Sequence, residues 1–408
     1  MASVEVGEQS AGFRRYGDVL RAPGVARIAA AALLARLPGG MAPLATVLLV
    51  RGEGRSYGVA GVVIAASSLA SAIGSPLWGR IIDRGGQARV LLPLAVAYPA
   101  ALAGLALSAT YGAPALVLAA FAALSGATMP PVGACMRALW PSLLGTPGLR
   151  DTAYALEAWL QELFFIFGPL IVAAIATVAP AWAALATAAA FAGVGTVLFA
   201  LAPPVRAAAG SARDPSRAGA LGSQAVRTVM IACVALGAGF GVVEVAMPAF
   251  GEAHGSRAQG GFALACFALG SLAGGLWIGT RPAARHLGLR FALSLGVIAV
   301  ALVPPLVAPS LPVMCVLMLL AGLPIAPAFA ASYGLVGELA PPGTTTEAFA
   351  LLTTAIVTGL ALGTSTGGIA VERLGLTGAL ALAAPCAGVA ALVAFARLAS
   401  LAIPEPVP

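Results

Sequence analysis

The chain has 408 residues, of which 60% are hydrophobic and 9% charged, where an ordinary soluble domain carries roughly 25% charged residues. That composition excludes a protein bathed in water on all sides and predicts one solvated by lipid. The net charge of +7 comes from arginine alone, since the chain contains no lysine, and membrane topology accounts for it better than a nucleic-acid surface does.

Residues 1–24 are polar and carry Arg14, Arg15 and Arg21, without a short apolar run and small-residue cleavage site, so no removable signal peptide is expected. Apolar runs follow near residues 25–50, 57–79, 89–109, 112–136, 152–178 and 181–202. Within the first, Arg36 stands near mid-span, where a charge costs roughly 2.5 to 3.5 kcal/mol and is expected to face the interior. It reads either as a substrate contact or as half of a structural ion pair, with Glu162 as its expected partner. The following Pro38, Gly39 and Gly40 are expected to kink or loosen the helix and free backbone groups for a ligand.

The loop after the second run reads Gly79-Arg80-Ile81-Ile82-Asp83-Arg84-Gly85-Gly86-Gln87-Ala88-Arg89-Val90-Leu91. Glycines at 79 and 86 permit close helix approach and a tight turn, and a carboxylate beside arginines suits a breakable latch. This loop resembles the signature of the major facilitator superfamily, in which Gly79, Asp83, Arg84, Gly86 and Leu91 match; Gln87 and Ala88 stand where that pattern has a basic pair, and Arg89 follows. The resemblance implies an all-α membrane fold of twelve helices in two pseudo-symmetric six-helix bundles. It also implies that Asp83 faces the start of the eleventh helix, where Thr344-Thr345-Thr346-Glu347 reads as a capping box. Arg137, ending the fourth span, is expected to complete that gating cluster. The alternative is a solvated loop that only sets topology.

In the fifth run Glu157 and Gln161 share a helix face, and Glu162 lies roughly 140° around from Glu157. Glu157 is either functional or a carboxylate snorkelling to the near end; Glu162 is a candidate for substrate or proton coupling. Gly168-Pro169 matches the core of the motif carried by antiporters of the same superfamily, although Ala155, Phe164 and Val172-Ala173 replace its other glycines. The pair reads as a helix hinge or as a packing point.

A polar break from Pro203 to Ala225, rich in Ala, Gly, Ser and Arg, predicts a flexible cytoplasmic linker at 205–225 between halves at 1–204 and 226–408. Further runs near 227–250, 259–279, 290–308, 312–337, 347–370 and 378–402 complete an even count. Glu244, toward the outer third of the seventh run, is a candidate for proton or cationic-substrate binding, or a carboxylate reaching a wet cavity without a transport role. With the N-terminus cytoplasmic, only Arg51, Arg55, Arg257 and Arg373 fall on the outer side, which satisfies the positive-inside rule and predicts both termini inside a plasma or inner membrane.

The halves repeat. Leu77-Trp78 corresponds to Leu276-Trp277, Gly126 and Pro131 to Gly322 and Pro327, and Gly168 to Gly363, as expected of parallel transporter repeats. The five cysteines lack the paired spacing of a metal site or a disulfide framework. Gly363-Thr364-Ser365-Thr366-Gly367 matches the serine-hydrolase elbow literally but lacks a preceding strand and a nearby histidine, so it reads as helix packing. No catalytic residue, cofactor or metal is expected. The sequence predicts a monomeric secondary transporter, with proton-coupled export of a small, largely apolar drug or metabolite as the first reading. The alternatives are proton-coupled nutrient uptake, or a polytopic membrane enzyme or receptor.

Overall fold

The computed structural model describes residues 14–208, 210, 219–254, 257–281 and 286–403, and of these the side chains of Tyr57, Glu162, Phe165 and residues 257–259 lie outside the description. Residues 209 and 211–218 of the predicted linker, Arg213, Asp214 and Arg217 among them, therefore lie outside the described residues. What is described is helical: α1 (Arg14–Arg21), α2 (Val25–Gly52), α3 (Tyr57–Gly85), α4 (Gln87–Thr110), α5 (Ala115–Thr128), α6 (Val132–Leu143), α7 (Pro147–Val178), α8 (Ala181–Leu201) and the short α9 (Pro203–Ala207) precede the break. After it come α10 (Gln224–Ala253), α11 (Arg257–Gly279), α12 (Leu287–Ala301), α13 (Leu311–Gly322), α14 (Ile325–Leu339) and α15 (Thr345–Ala396).

Eleven helical runs among the described residues are long and apolar enough to cross a membrane. The last, α15, has 52 residues; at 1.5 Å per residue it would be about 78 Å long, more than twice the hydrocarbon thickness. Gly375 resolves this, because its φ of 70° and ψ of −178° break the helix. The segment before Gly375 rises beside α10, with Gly237 against Ile356 and Gly241 against Leu360. The segment after it returns, bringing Ala383 to Gly239 and Ser400 within 3.3 Å of Thr228. The chain thus crosses twelve times, as the apolar runs predict.

Glycines set the packing of each half, and they do so twice over. Gly126 of α5 lies against the Ser67 carbonyl of α3, and Gly74 against Ala127. In the second half Gly322 lies against the Phe267 carbonyl of α11, and Gly274 against Leu323. Gly168 of α7 meets the backbone of Gly40 of α2, while Gly363 of α15 meets that of Ala238 of α10. A side chain at any of these positions would enter a neighbouring backbone, so the small residues let helices pack at short range where lipid supplies no hydrophobic drive between them. The serine-elbow look-alike is part of this pattern: Gly363 and Gly367 both pack on α10, and Ser365 donates to Ala361 in its own helix.

Both fourth-position crossings are broken, between α5 and α6 at Met129-Pro130-Pro131 and between α13 and α14 at Leu323-Pro324. Pro131 has no N–H, which frees the Ala127 carbonyl four residues earlier. The indole of Trp78 takes it, donating at 2.6 Å. The second half does not copy this detail, since Trp277 is exposed and lies 4.7 Å from the Arg281 guanidinium.

Candidate functional site

Three charged side chains meet where α2, α6 and α7 converge. Arg36 Nη1 donates to Glu157 Oε2 at 2.8 Å, and Arg137 Nε lies 3.8 Å from the same oxygen. Glu157 is 1% exposed and Arg137 4% at the side chain, so neither reaches bulk water. Gly133, in the first turn of α6 after the proline break, makes room for both arginines: a β-carbon there would stand 3.2 Å from Arg137 Nη2 and 3.3 Å from Arg36 Nε. The other oxygen of Glu157 and Nε of Arg137 have no hydrogen-bond partner among the described residues.

Arg36 pairs with Glu157, and the side chain of Glu162, the partner expected from the sequence, lies outside the described residues. One expectation is corrected: Glu157 does not snorkel to the helix end but is buried. At 3.6 residues per turn α7 turns the face bearing Glu157 and Gln161 inward together. Gln161 accepts from the Tyr333 hydroxyl of α14 at 3.1 Å. The Phe164 ring, a further turn along, lies 5.2 Å from the Arg36 guanidinium.

Arg137 also leaves the gating cluster in which it was expected. Its guanidinium sits 4.4 Å from the Tyr333 ring and 5.9 Å from that of Phe349, and Nη1 reaches Thr353 Oγ1 at 3.5 Å. It therefore ties the first half's carboxylate to aromatic rings of the second half, a contact whose electrostatic attraction is strengthened by the absence of water.

The latch itself forms at the arginine-rich end. Asp83 accepts backbone hydrogen bonds from Thr346 at 3.0 Å and Glu347 at 2.9 Å, two N–H groups in the first turn of α15. Gly79 allows this approach, as a β-carbon there would stand 2.8 Å from Glu347 Cα. The expected capping box does not form. Thr344 makes no side-chain cap and donates instead to Pro341, while Glu347 pairs with Arg80 at 3.3 Å. A carboxylate brought from the other half satisfies the helix end with full charge and two oxygens, which a neutral hydroxyl cannot match. Arg84 and Arg89 are exposed, and Gly86 makes the turn with φ of 87°.

Other contacts between the halves lie at the same end. Thr152 donates to the Gly279 carbonyl at 3.1 Å and Arg150 lies 3.8 Å from Glu338, while deeper, at the middle of α3, Thr354 donates to the Ala72 carbonyl at 3.3 Å. The sequence reading missed α1, which straps across this end: Tyr16 donates to Gly275 at 2.7 Å and Arg15 to the Arg281 carbonyl at 2.6 Å. Burial pushes the Tyr16 phenol up to about 12, against a smaller downward pull from a backbone hydrogen bond at Gly279, so it stays a donor throughout the neutral range. Gly219 was missed as well. With φ of 55° it sits directly on the Arg80–Glu347 pair, and its β-carbon would stand 2.6 Å from Glu347 Oε1. An amphipathic octapeptide with a single tyrosine was a signal for α1; nothing in the linker's composition pointed to Gly219.

The remaining candidates stand apart. Glu244 is exposed on α10, one turn beyond Phe240, whose ring packs against Phe267 and Phe329. The α2 helix runs unbroken through Pro38, Gly39 and Gly40, and α7 through Gly168 and Pro169. The loosened backbone expected there is not seen, because the glycines of the two helices are used against each other. Among the described residues no three His, Cys, Asp or Glu side chains are placed to hold a metal ion.

The family model of the Major Facilitator Superfamily matches residues 28–280 and 229–408. Among solved structures the chain is similar to the human organic anion transporter MFSD10 (TETRAN), at 17% identity and a TM-score of 0.72 over 90% of this chain and 99% of that one. It is also similar to a bacterial homologue of the iron transporter ferroportin in an outward-facing state, at 15% identity and 0.74 over 92% and 99%. The proton:xylose symporter XylE matches at 14% identity and 0.68 over 91% and 95%. No curated protein sequence matches the chain. Twelve crossings in two repeated bundles, joined by a carboxylate latch and matched by the family model along nearly their whole length, make this chain a multi-pass membrane transporter belonging to the major facilitator superfamily.

Proposed function

We propose that this transporter is a proton-coupled exporter of small, largely apolar compounds, working by alternating access with its arginine-rich end in the cytoplasm of a plasma or inner membrane. The observation that carries the reading is the clustering of inter-half contacts at one end. Asp83 caps α15 in trans, Arg80 pairs with Glu347, and Tyr16 reaches Gly275, while Glu244 on the opposite side of mid-depth is exposed. In this reading the state is closed to the cytoplasm. Weak, breakable bonds in one layer suit a rocker whose halves tilt about a central site. The positive-inside distribution supports the orientation, and the Gly168-Pro169 core supports export. Arg36, Glu157, Glu162 and Glu244 are assigned to substrate or proton coupling, and Gly79, Asp83, Arg84, Gly86 and Arg89 to the gate; the linker joins two halves ending near residue 204 and beginning near 226.

The test places the purified protein in lipid vesicles, imposes a pH gradient, and follows proton and compound movement for a panel of apolar drugs. Compound-driven proton flux should appear in the parent and fall at least tenfold in Arg36→Ala, Glu162→Gln and Glu244→Gln, a loss of about 1.4 kcal/mol or more in the coupled step. Flux equal to the parent in all three would remove these residues from the mechanism.

One observation favours a second reading, proton-coupled uptake of a polar nutrient. A cavity of about 60 Å³ inside the first bundle is lined by Thr46, Ser67, Ser68, Tyr98 and Ser125 among apolar side chains, and such hydroxyls suit a hydrogen-bonding ligand. Accumulation of a sugar inside acid-outside vesicles would favour it over export.

A further inference from the structure

We propose that the transported compound, or a co-substrate bound with it, carries an anionic oxygen group that docks between Arg36 and Arg137 by displacing Glu157, which acts as a built-in stand-in for that group. This deepens the transport reading above by naming the charge class its central site accepts.

The argument starts from the donors. Each guanidinium carries five N–H groups in a planar fork that fits two oxygens of a carboxylate at once. The described hydrogen bonds engage Arg36 through Nη1 to Glu157 and Arg137 through Nη1 to Thr353. Both cations crowd over Gly133, yet one carboxylate oxygen serves both, at 2.8 and 3.8 Å. That oxygen sits closer to Arg36, and Arg137 Nε is left without a hydrogen bond while 3% of the residue is exposed. Two buried like charges sharing one counter-ion are under-compensated, and in a site shielded from water that imbalance favours a second anion.

The surroundings select the rest of the ligand. Phe164 covers one face of Arg36, and Tyr333 and Phe349 cover Arg137. An oxyanion on a small aromatic or aliphatic body would meet arginine at one end and rings along its side. A cation would meet two guanidinium groups. Because Arg137 already touches both halves, an anion bridging it to Arg36 would also change the charge beneath the closed layer without reaching Asp83. Gly133 is the access residue of this arrangement, since any side chain there would press on both guanidinium groups.

The experiment uses the full chain in detergent and follows thermal unfolding by intrinsic fluorescence against benzoate, benzamide and benzylamine, three probes of one shape and different charge. Benzoate should raise the unfolding temperature of the parent, and benzamide and benzylamine should not. In Glu157→Gln the internal competitor is gone, and half-saturation with benzoate should fall about tenfold, as expected when a self-occupied site becomes fully competent. Arg36→Gln should lose the response and Arg36→Lys should keep part of it. Glu372→Gln, at an exposed position of α15 away from the cluster, should match the parent. Equal stabilisation by benzamide or benzylamine, unchanged or weaker benzoate binding in Glu157→Gln, or tightening in Glu372→Gln instead, overturns the proposal. If Arg36→Gln does not fold, the probe series on the parent and Glu157→Gln decides by itself. Charge-selective binding without movement in the pH-gradient vesicles would sink the export reading and leave this site; movement without charge preference would do the reverse.

Discussion

Asp83 does for α15 what a local residue does for most helices: it supplies the acceptors that the first N–H groups lack. Because it comes from the other half, its contribution exists only while the halves touch. Removing it should cost the closed layer about 1 kcal/mol, or roughly a fivefold shift in the balance between closed and open at that end. Asp83→Ala should therefore broaden and lengthen the distances between spin labels at the exposed positions Ile81 and Leu289, with helix content unchanged. Distances identical to the parent would mean that Arg80–Glu347 and the Tyr16 strap hold the layer without the aspartate. Gly79 belongs to the same device, since it is the absence of a side chain there that lets Asp83 reach.

At the scale of elements, the halves are held by glycine crossings rather than by hinges. The Gly40–Gly168 contact joins α2 to α7 through backbone atoms, with the Gly168 β-carbon position 2.8 Å from Gly40 Cα, and it lies about one turn beyond Arg36 on α2 and about three turns beyond Glu157 on α7. Gly168→Val should separate the two helices and cost about 1 to 3 kcal/mol by overpacking, lowering the unfolding temperature while Arg36 and Glu157 are both still present. A valine variant as stable as the parent would show that the crossing relaxes easily and restore the hinge reading. The proline breaks between α5 and α6 and between α13 and α14 are the true interruptions. The first of them delivers Gly133 and Arg137 to the charge cluster.

Taken as a whole, the molecule is two versions of one packing scheme, fastened at one end. In a cysteine-free background Glu244→Cys should react with a membrane-impermeant thiol reagent added to the outer face, since the proposed state opens that side of the site to outer water, whereas cysteine at Thr346, 2% exposed under the latch, should not react from either face while the layer is closed. Labelling of the two positions from the same side would contradict the proposed orientation and state together.

Much of this was legible in residue order, for physical reasons that act locally. A 9% charged chain can only be solvated by lipid, apolar runs of membrane length can only be helices there, and glycine and proline recur at matched positions because both halves solve the same packing problem. Arg36 and Glu157 announced themselves because ionised groups are costly in hydrocarbon wherever they sit. Only the tertiary structure decided who meets whom. Glu157 pairs with Arg36, Arg137 turns from the latch to Tyr333, and Asp83 replaces Thr344 as the cap. Those choices depend on how helices are rotated and on which backbone approaches which, through contacts between residues more than a hundred positions apart, and no local pattern of the chain encodes them.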